Sequence, residues 1–123
     1  TITRMGLADK SVNPYYREML HTLMAGQEER FNILLSHRPE LFDIYTEAGI
    51  NLILTGHAHG GQFRLPFIGG LAAPNQGLFP KYDAGVFSEN VTHMVVSRGI
   101  GNSIIPIRFN NPPEIVVVKL TIE

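Results

Sequence analysis

The sequence predicts an α/β fold built on a parallel sheet, and three observations carry that expectation. Two short apolar runs, residues 31–36 and 50–55, flank a segment whose apolar positions recur at helical spacing. The stretch that follows each run holds histidine. The last third of the chain returns to β-branched runs, IVVVKL among them.

Composition narrows the class. At 123 residues the chain is within the range of one small domain able to bury a core, and its hydrophobic fraction of 44% is ordinary for a globular protein. A formal charge of -1 offers no electrostatic case for nucleic acid or an acidic membrane surface. The absence of cysteine excludes disulfides and thiolate zinc sites. No apolar run approaches the roughly 20 residues needed to span a bilayer, and no signal peptide is visible.

In chain order, residues 1–12 read as a short strand, TITRMGL, entering a polar turn in which Asp9 is a turn residue. Asn13 followed by Pro14 marks a helix start, with a capping side chain and then proline in the first turn. That helix should run to Ala25 with Tyr16, Met19, Leu20, Leu23 and Met24 inward, and Gly26 should end it. His21 is read as a structural helix residue, and residues 27–30 as a charged connection.

Residues 31–36 place Ile33, Leu34 and Leu35 in succession, as a strand buried on both faces of a parallel sheet would, and they lead to His37. Pro39 then opens a helix with Leu41, Phe42, Ile44, Tyr45 and Ala48 inward, and Gly49 is placed for a left-handed cap. Residues 50–55 form the next strand. The connection is long enough for a right-handed crossover, so the two strands should be parallel and should end on one edge.

Residues 62–90 lose periodicity and hold three prolines among many glycines, which is expected of a functional loop. Because it leaves directly from the histidine turn, it is expected to wall a substrate cleft. Phe63, Leu65, Phe67, Ile68, Leu71, Leu78 and Phe79 would either offer an apolar surface to a substrate, membrane or partner, or pack the loop onto the domain. No Gly-Lys-Ser/Thr ending supports a nucleotide P-loop. Strands are expected at 91–97, 104–109 and 114–122, with a turn at 110–113 and His93 structural. The SRGIGN turn can present backbone amides to an anion, and Arg98 can add a charged contact to phosphate or simply face solvent.

His37, His57 and His59 are the chemical centre of this reading. Ligands of open α/β sheets collect beyond the carboxyl ends of the strands, and neighbouring strands lie about 4.8 Å apart, so three imidazoles can converge there. If GHAHGG is extended, His57 and His59 leave the same side of the chain. Gly56, Gly60 and Gly61 let the backbone approach a ligand closely. Imidazole binds zinc, manganese, iron and nickel, and a pair of metals about 3.5 to 4 Å apart is a known device for phosphoester hydrolysis. The set points to a metal site, although any single histidine taken alone would read as a hydrogen-bonded surface residue.

These residues also carry a resemblance. The ILLSH strand end followed by LILTGHAHGGQ resembles the last two metal-binding motifs of the calcineurin-like metallophosphoesterase superfamily. GHAHGGQFRLP and VVSRGIG…PIRFNNPPEIVVVKL resemble its bacterial phosphohydrolase branch, whose members carry GHTHGGQ. The similarity runs from about Ile33 onward. It implies an α/β/β/α sandwich, with His37 and His57 binding one metal of a two-metal centre and His59 the other. The two divalent ions would be Mn, Fe, Zn or Ni. The reaction implied is hydrolysis of a phosphomonoester or phosphodiester, on a small-molecule or lipid-linked substrate, with Arg98 and Gly99 as candidate substrate contacts.

The family pattern also has an Asp-x-His strand end, a Gly-Asp motif and a Gly-Asn-His motif, and this sequence lacks all three. Its aspartates, Asp9, Asp43 and Asp83, lie in no such motif. The chain therefore reads as the C-terminal half of such a domain, with the N-terminal half absent, inactive alone and without an assigned catalytic residue. The alternative is a non-catalytic metal-binding or protein-interaction module. A half-domain should expose apolar surface and an unpaired edge, so a homodimer or strand exchange is expected. The compartment stays open between a cytoplasmic parent and a membrane-anchored one.

Overall fold

The computed structural model describes residues 2–4, 13–102 and 106–122. The expected turn at Asp9 lies outside them. In chain order the elements are β1 (Ile2–Arg4), α1 (Asn13–Met24), β2 (Ile33–Leu35), α2 (Phe42–Glu47) and β3 (Leu52–Thr55). There follow β4 (Arg64–Leu65), β5 (Gly69–Gly70), β6 (Ala72–Ala73), β7 (Gly77–Leu78), β8 (Gly85–Glu89) and β9 (Thr92–Val96).

The main sheet has the order β1-β2-β3-β9-β8. The first four strands are mutually parallel, and β8 closes one edge antiparallel to β9. Leu34, Ile53 and Met94 sit side by side across β2, β3 and β9, and all three are buried. They share one cluster with Tyr16 and Leu20 of α1 and with Phe42, Ile44 and Tyr45 of α2. At six residues α2 is too short to persist alone. Its place is set by burial, worth about 1.5 to 3 kcal/mol for each large apolar side chain. A 3₁₀ turn at Pro39–Leu41 leads into it, and Arg17 of α1 pairs with Glu47 at 2.6 Å.

One detail of α1 departs from expectation. Leu23 is exposed at 41%, because the buried stripe passes through Tyr16 and Leu20 and leaves Leu23 at its margin.

The opposite face of the sheet carries no helix among the described residues. There Leu35, Leu54, Val95 and Val86 form a row across four strands, and Leu35 and Val86 at its ends are exposed. Val116 and Val118 border a shallow hollow on this face with Leu54 and Val95.

The expected strands at 104–109 and 114–122 are not formed over the described residues. Residues 104 and 105 fall outside the description, and from 106 onward the only pairing is a bridge between Phe109 and Phe63. Residues 111–122 belong to no sheet, since no neighbouring strand offers them a ladder. Conversely, residues 62–90 are more ordered than a bare loop. They fold into the β4–β5 and β6–β7 ribbons and then β8, whose hairpin with β9 turns at Asn90 with φ of 54°.

Candidate metal centre

Because β2, β3 and β9 run parallel, the segments after them emerge on one edge: His37 two residues past Leu35, His57 two past Thr55, and Arg98 two past Val96. The structure brings the three histidines together there. The rings of His37 and His57 are 4.2 Å apart between centroids, and those of His57 and His59 are 6.3 Å apart.

Each imidazole is held by its neighbours in the chain. On either side of His37, Ser36 and Arg38 are tied to Tyr45 of α2. The Tyr45 hydroxyl donates to the Arg38 carbonyl at 2.8 Å and accepts from the Ser36 hydroxyl at 2.7 Å. The Arg38 amide donates back to Ser36 Oγ at 3.1 Å. Burial raises the Tyr45 phenol far above its ordinary pKa, so it remains a donor throughout the physiological range. Arg38 is itself buried, with Nε on Glu40 Oε1 at 2.9 Å and its guanidinium 5.7 Å above the Tyr16 ring.

His57 and His59 sit on a tighter turn than expected. The extended GHAHGG does not occur: His57 has φ of 71° and His59 of 47°, left-handed conformations that cost non-glycine residues of order 1 kcal/mol or more each. Close packing imposes them. A Cβ on Gly61 would fall 2.3 Å from the Gly70 backbone, and one on Gly60 would meet Asn111 Oδ1 and the Arg98 side chain. Asn111, buried, donates Nδ2 to the His59 carbonyl at 2.6 Å and to the Gln62 carbonyl at 3.2 Å. Arg64 Nη1 bridges the Gly60 carbonyl at 3.0 Å and Asp83 Oδ2 at 2.7 Å, and the same oxygen accepts from the Gly70 amide.

Burial, reinforced by the neighbouring His37 and His59 rings, lowers the His57 pKa below its ordinary value. Burial also lowers that of His59, with Arg108 and His37 adding to the effect and a hydrogen bond to the Gly101 backbone opposing it. Both rings are therefore neutral at pH 7 and keep a lone pair for a cation.

The donor chemistry thus fits a divalent metal, but the set is not closed. Among the described residues no three His, Cys, Asp or Glu side chains are arranged to hold a metal by themselves. Glu40 is turned to Arg38 and Asp83 to Arg64, so neither completes the set.

The remaining sequence candidates are placed as follows. Arg98 Nη2 donates to Glu114 Oε1 at 2.9 Å, and the Gly99 amide donates to Ser97 Oγ at 3.0 Å. His93 Nδ1 is bonded to Ser88 Oγ on the adjacent strand, and His21 is exposed on α1. Asn111, Arg64 with Asp83, and Arg108 were not singled out from sequence. Only tertiary structure brings them to the turn, and no local pattern signals it.

Comparison with known proteins agrees with the motifs. Over 108 residues the chain is 40% identical to the uncharacterized metallophosphoesterase YkuE of Bacillus subtilis, covering 88% of this chain and 36% of that protein. It is 33% identical to the phosphodiesterase YaeI of Escherichia coli, covering 72% of this chain and 32% of the relative. It is 32% identical to the UDP-2,3-diacylglucosamine pyrophosphatase LpxG of Chlamydia muridarum, covering 74% and 29%. The chain spans about a third of the length of these curated relatives. No family model and no solved structure matches it. By sequence, the chain is a relative of the bacterial metallophosphoesterases, corresponding to about a third of their length.

Proposed function

We propose that the chain is the C-terminal part of a calcineurin-like phosphoesterase domain and supplies His37, His57 and His59 to a two-metal centre. In this reading His37 and His57 share one ion and His59 holds the other. The observation that carries the reading is the 4.2 Å approach of the His37 and His57 rings from two parallel strands joined by a crossover.

When bound, divalent metal would supply Lewis acidity and activate water for in-line attack on phosphorus. The chain's own part is to keep the His57 and His59 imidazoles neutral, fix the His37 turn through Tyr45, and hold the glycine turn through Asn111 and Arg64. An open cleft of about 360 Å³, lined by Glu40, Asp43, Asn75, Gln76, Phe79, Lys81 and Tyr82 and by none of the three histidines, runs along the loop. In this reading the loop borders the substrate there. The substrate is a small-molecule or lipid-linked phosphoester, a class supported by the phosphodiesterase and pyrophosphatase names of two relatives. Arg98 and Gly99 remain proposed substrate contacts, although Nη2 of Arg98 is spent on Glu114.

The missing carboxylates make the chain inactive alone in this reading. Metal titration tests the site: His57→Ala should lose most bound manganese or zinc, and His21→Ala should lose none. Equal metal content in the two variants would remove the assignment. Activity is tested on bis-p-nitrophenyl phosphate with manganese, in this chain and in a longer protein carrying the upstream motifs.

A second reading, a metal-binding or protein-interaction module without catalysis, is favoured by the exposure of Phe67, Ile68, Leu78 and Phe79. It prevails if the longer protein is inactive with every metal tried while this chain still binds metal. The sheet face that carries no helix among the described residues, and residues 115–122, which join no strand among them, further support a homodimer or strand exchange, which a stable monomer in light scattering at high concentration would exclude.

A further inference from the structure

Four arginines lie around the histidine turn, and three have carboxylate partners: Arg38 with Glu40, Arg64 with Asp83, and Arg98 with Glu114. Arg108 is the exception. Its Nη2 donates to the carbonyls of Arg98, at 2.9 Å, and of Gly101. Nε and Nη1 are closed off from solvent and meet no acceptor. Two N–H donors of a half-buried guanidinium are thus left unspent, a costlier omission than in a neutral group. No carboxylate among the described residues pairs with Arg108, and the nearby ones are already engaged.

Position adds the second half of the argument. The carbonyl that receives Arg108 Nη2 at 2.9 Å belongs to Arg98, whose side chain lies against Gly60, the residue after His59, where a Cβ would meet it. Arg108 therefore stands, through Arg98, beside the turn that carries His59. A cation fixed beside a proposed metal ligand, with donors unspent, suits an anion that contacts both. A guanidinium matches the tetrahedral oxyanion of a phosphoryl group with two or more N–H donors at once.

We infer that Arg108 is a substrate-positioning residue that binds a phosphoryl oxygen on the His59 side of the centre. The choice of phosphoryl over other oxyanions rests on the function proposed above. Arg98 also braces the glycine turn against the C-terminal segment through Glu114, and Arg108 adds an anion contact on the His59 side.

The test uses the full 123-residue chain and inorganic phosphate as probe. Phosphate is titrated while the Arg108 Nε–Hε resonance is followed by NMR, and zinc affinity is measured separately by calorimetry. The Arg108 signal should shift saturably. Arg108→Gln should weaken phosphate binding at least tenfold with zinc affinity unchanged within about twofold, and Arg108→Lys should restore part of the loss. Arg30→Gln, at an exposed connection, should change neither. An Arg108 signal unmoved by phosphate, or equal phosphate affinity in Arg108→Gln, overturns the inference. If Arg108→Gln does not fold, the wild-type resonance and Arg108→Lys decide it by the same criteria. Phosphate bound at Arg108 in a chain that fails to bind zinc would remove the metal reading and leave this one standing.

Discussion

The Asn111 side chain donates to the His59 carbonyl at 2.6 Å across 52 residues of chain, so a residue in the C-terminal segment fixes the turn that carries two of the three histidines. Asn111→Ala should destabilise the fold by about 1 to 3 kcal/mol in urea unfolding, from the loss of two hydrogen bonds of a buried amide at about 0.5 to 1.5 kcal/mol each, while the two carbonyls keep the Gln62 and Phe109 amides as donors. Asn111→Asp should cost more, because a carboxylate cannot donate to the His59 and Gln62 carbonyls and is repelled by them. Both variants should also weaken zinc binding in calorimetry. Wild-type stability in either one would show that the turn holds its shape without Asn111.

This contact also marks where sequence reading stops. Residues 31–61 were legible because the apolar period changes from continuous to helical and back, with proline and glycine at the boundaries, and each change has a local physical cause. Parallel pairing followed from the length of the crossover. Asn111 was legible only as part of a turn, since nothing in NNPPE reveals that its amide reaches back to His59. The β8 strand was missed because GVFSEN is short and half polar, and its place depends on β9 and the Asn90 turn. The IVVVKL run was legible as β-prone, but a strand is completed by its neighbour, and none of the described residues supplies one.

Gly61 and Gly77 separate backbone strain from crowding. Both have positive φ, 74° and 72°, so alanine strains the backbone similarly at each. A Cβ at Gly77 meets nothing within 4 Å, whereas at Gly61 it falls 2.3 Å from the Gly70 Cα. Gly77→Ala should therefore cost about 1 kcal/mol, and Gly61→Ala about 1 to 3 kcal/mol more, the range of overpacking. Paired denaturant titrations measure the difference. Equal losses would show that β5 can move away freely.

Tyr45→Phe removes a single oxygen that serves two partners. The Arg38 carbonyl loses the nearer of its two donors, keeping the Leu41 amide at 3.3 Å, and the Ser36 hydroxyl loses its acceptor, both at a buried site. A loss of about 1 to 3 kcal/mol is expected in thermal or urea unfolding. Because these contacts flank His37, zinc affinity should fall as well. A variant with lowered stability and unchanged zinc affinity would confine Tyr45 to the core.

Glu114 gives the pH dependence. The Arg98 side chain and then the Arg98 amide, both donating to this carboxylate, lower its pKa below the usual glutamate value. The sign follows from linkage: the unfolded chain binds the proton more readily than the folded one, so stability from this group is complete above the unfolded pKa near 4.3. It is lost as pH falls from there through the lower folded value. The Arg98 amide, which donates to Glu114 Oε2 at 3.1 Å, is the local reporter. Its hydrogen-exchange protection, corrected for intrinsic rate, should fall in that acid window in the wild type and be low and flat in Glu114→Gln. The Glu114 amide, bonded to the Gly99 carbonyl, should lose protection in parallel as the C-terminal segment loosens from the SRGIGN turn. Protection at Arg98 unchanged through acid pH would mean that the segment is held by Val116 and Val118 against the sheet and not by this ion pair.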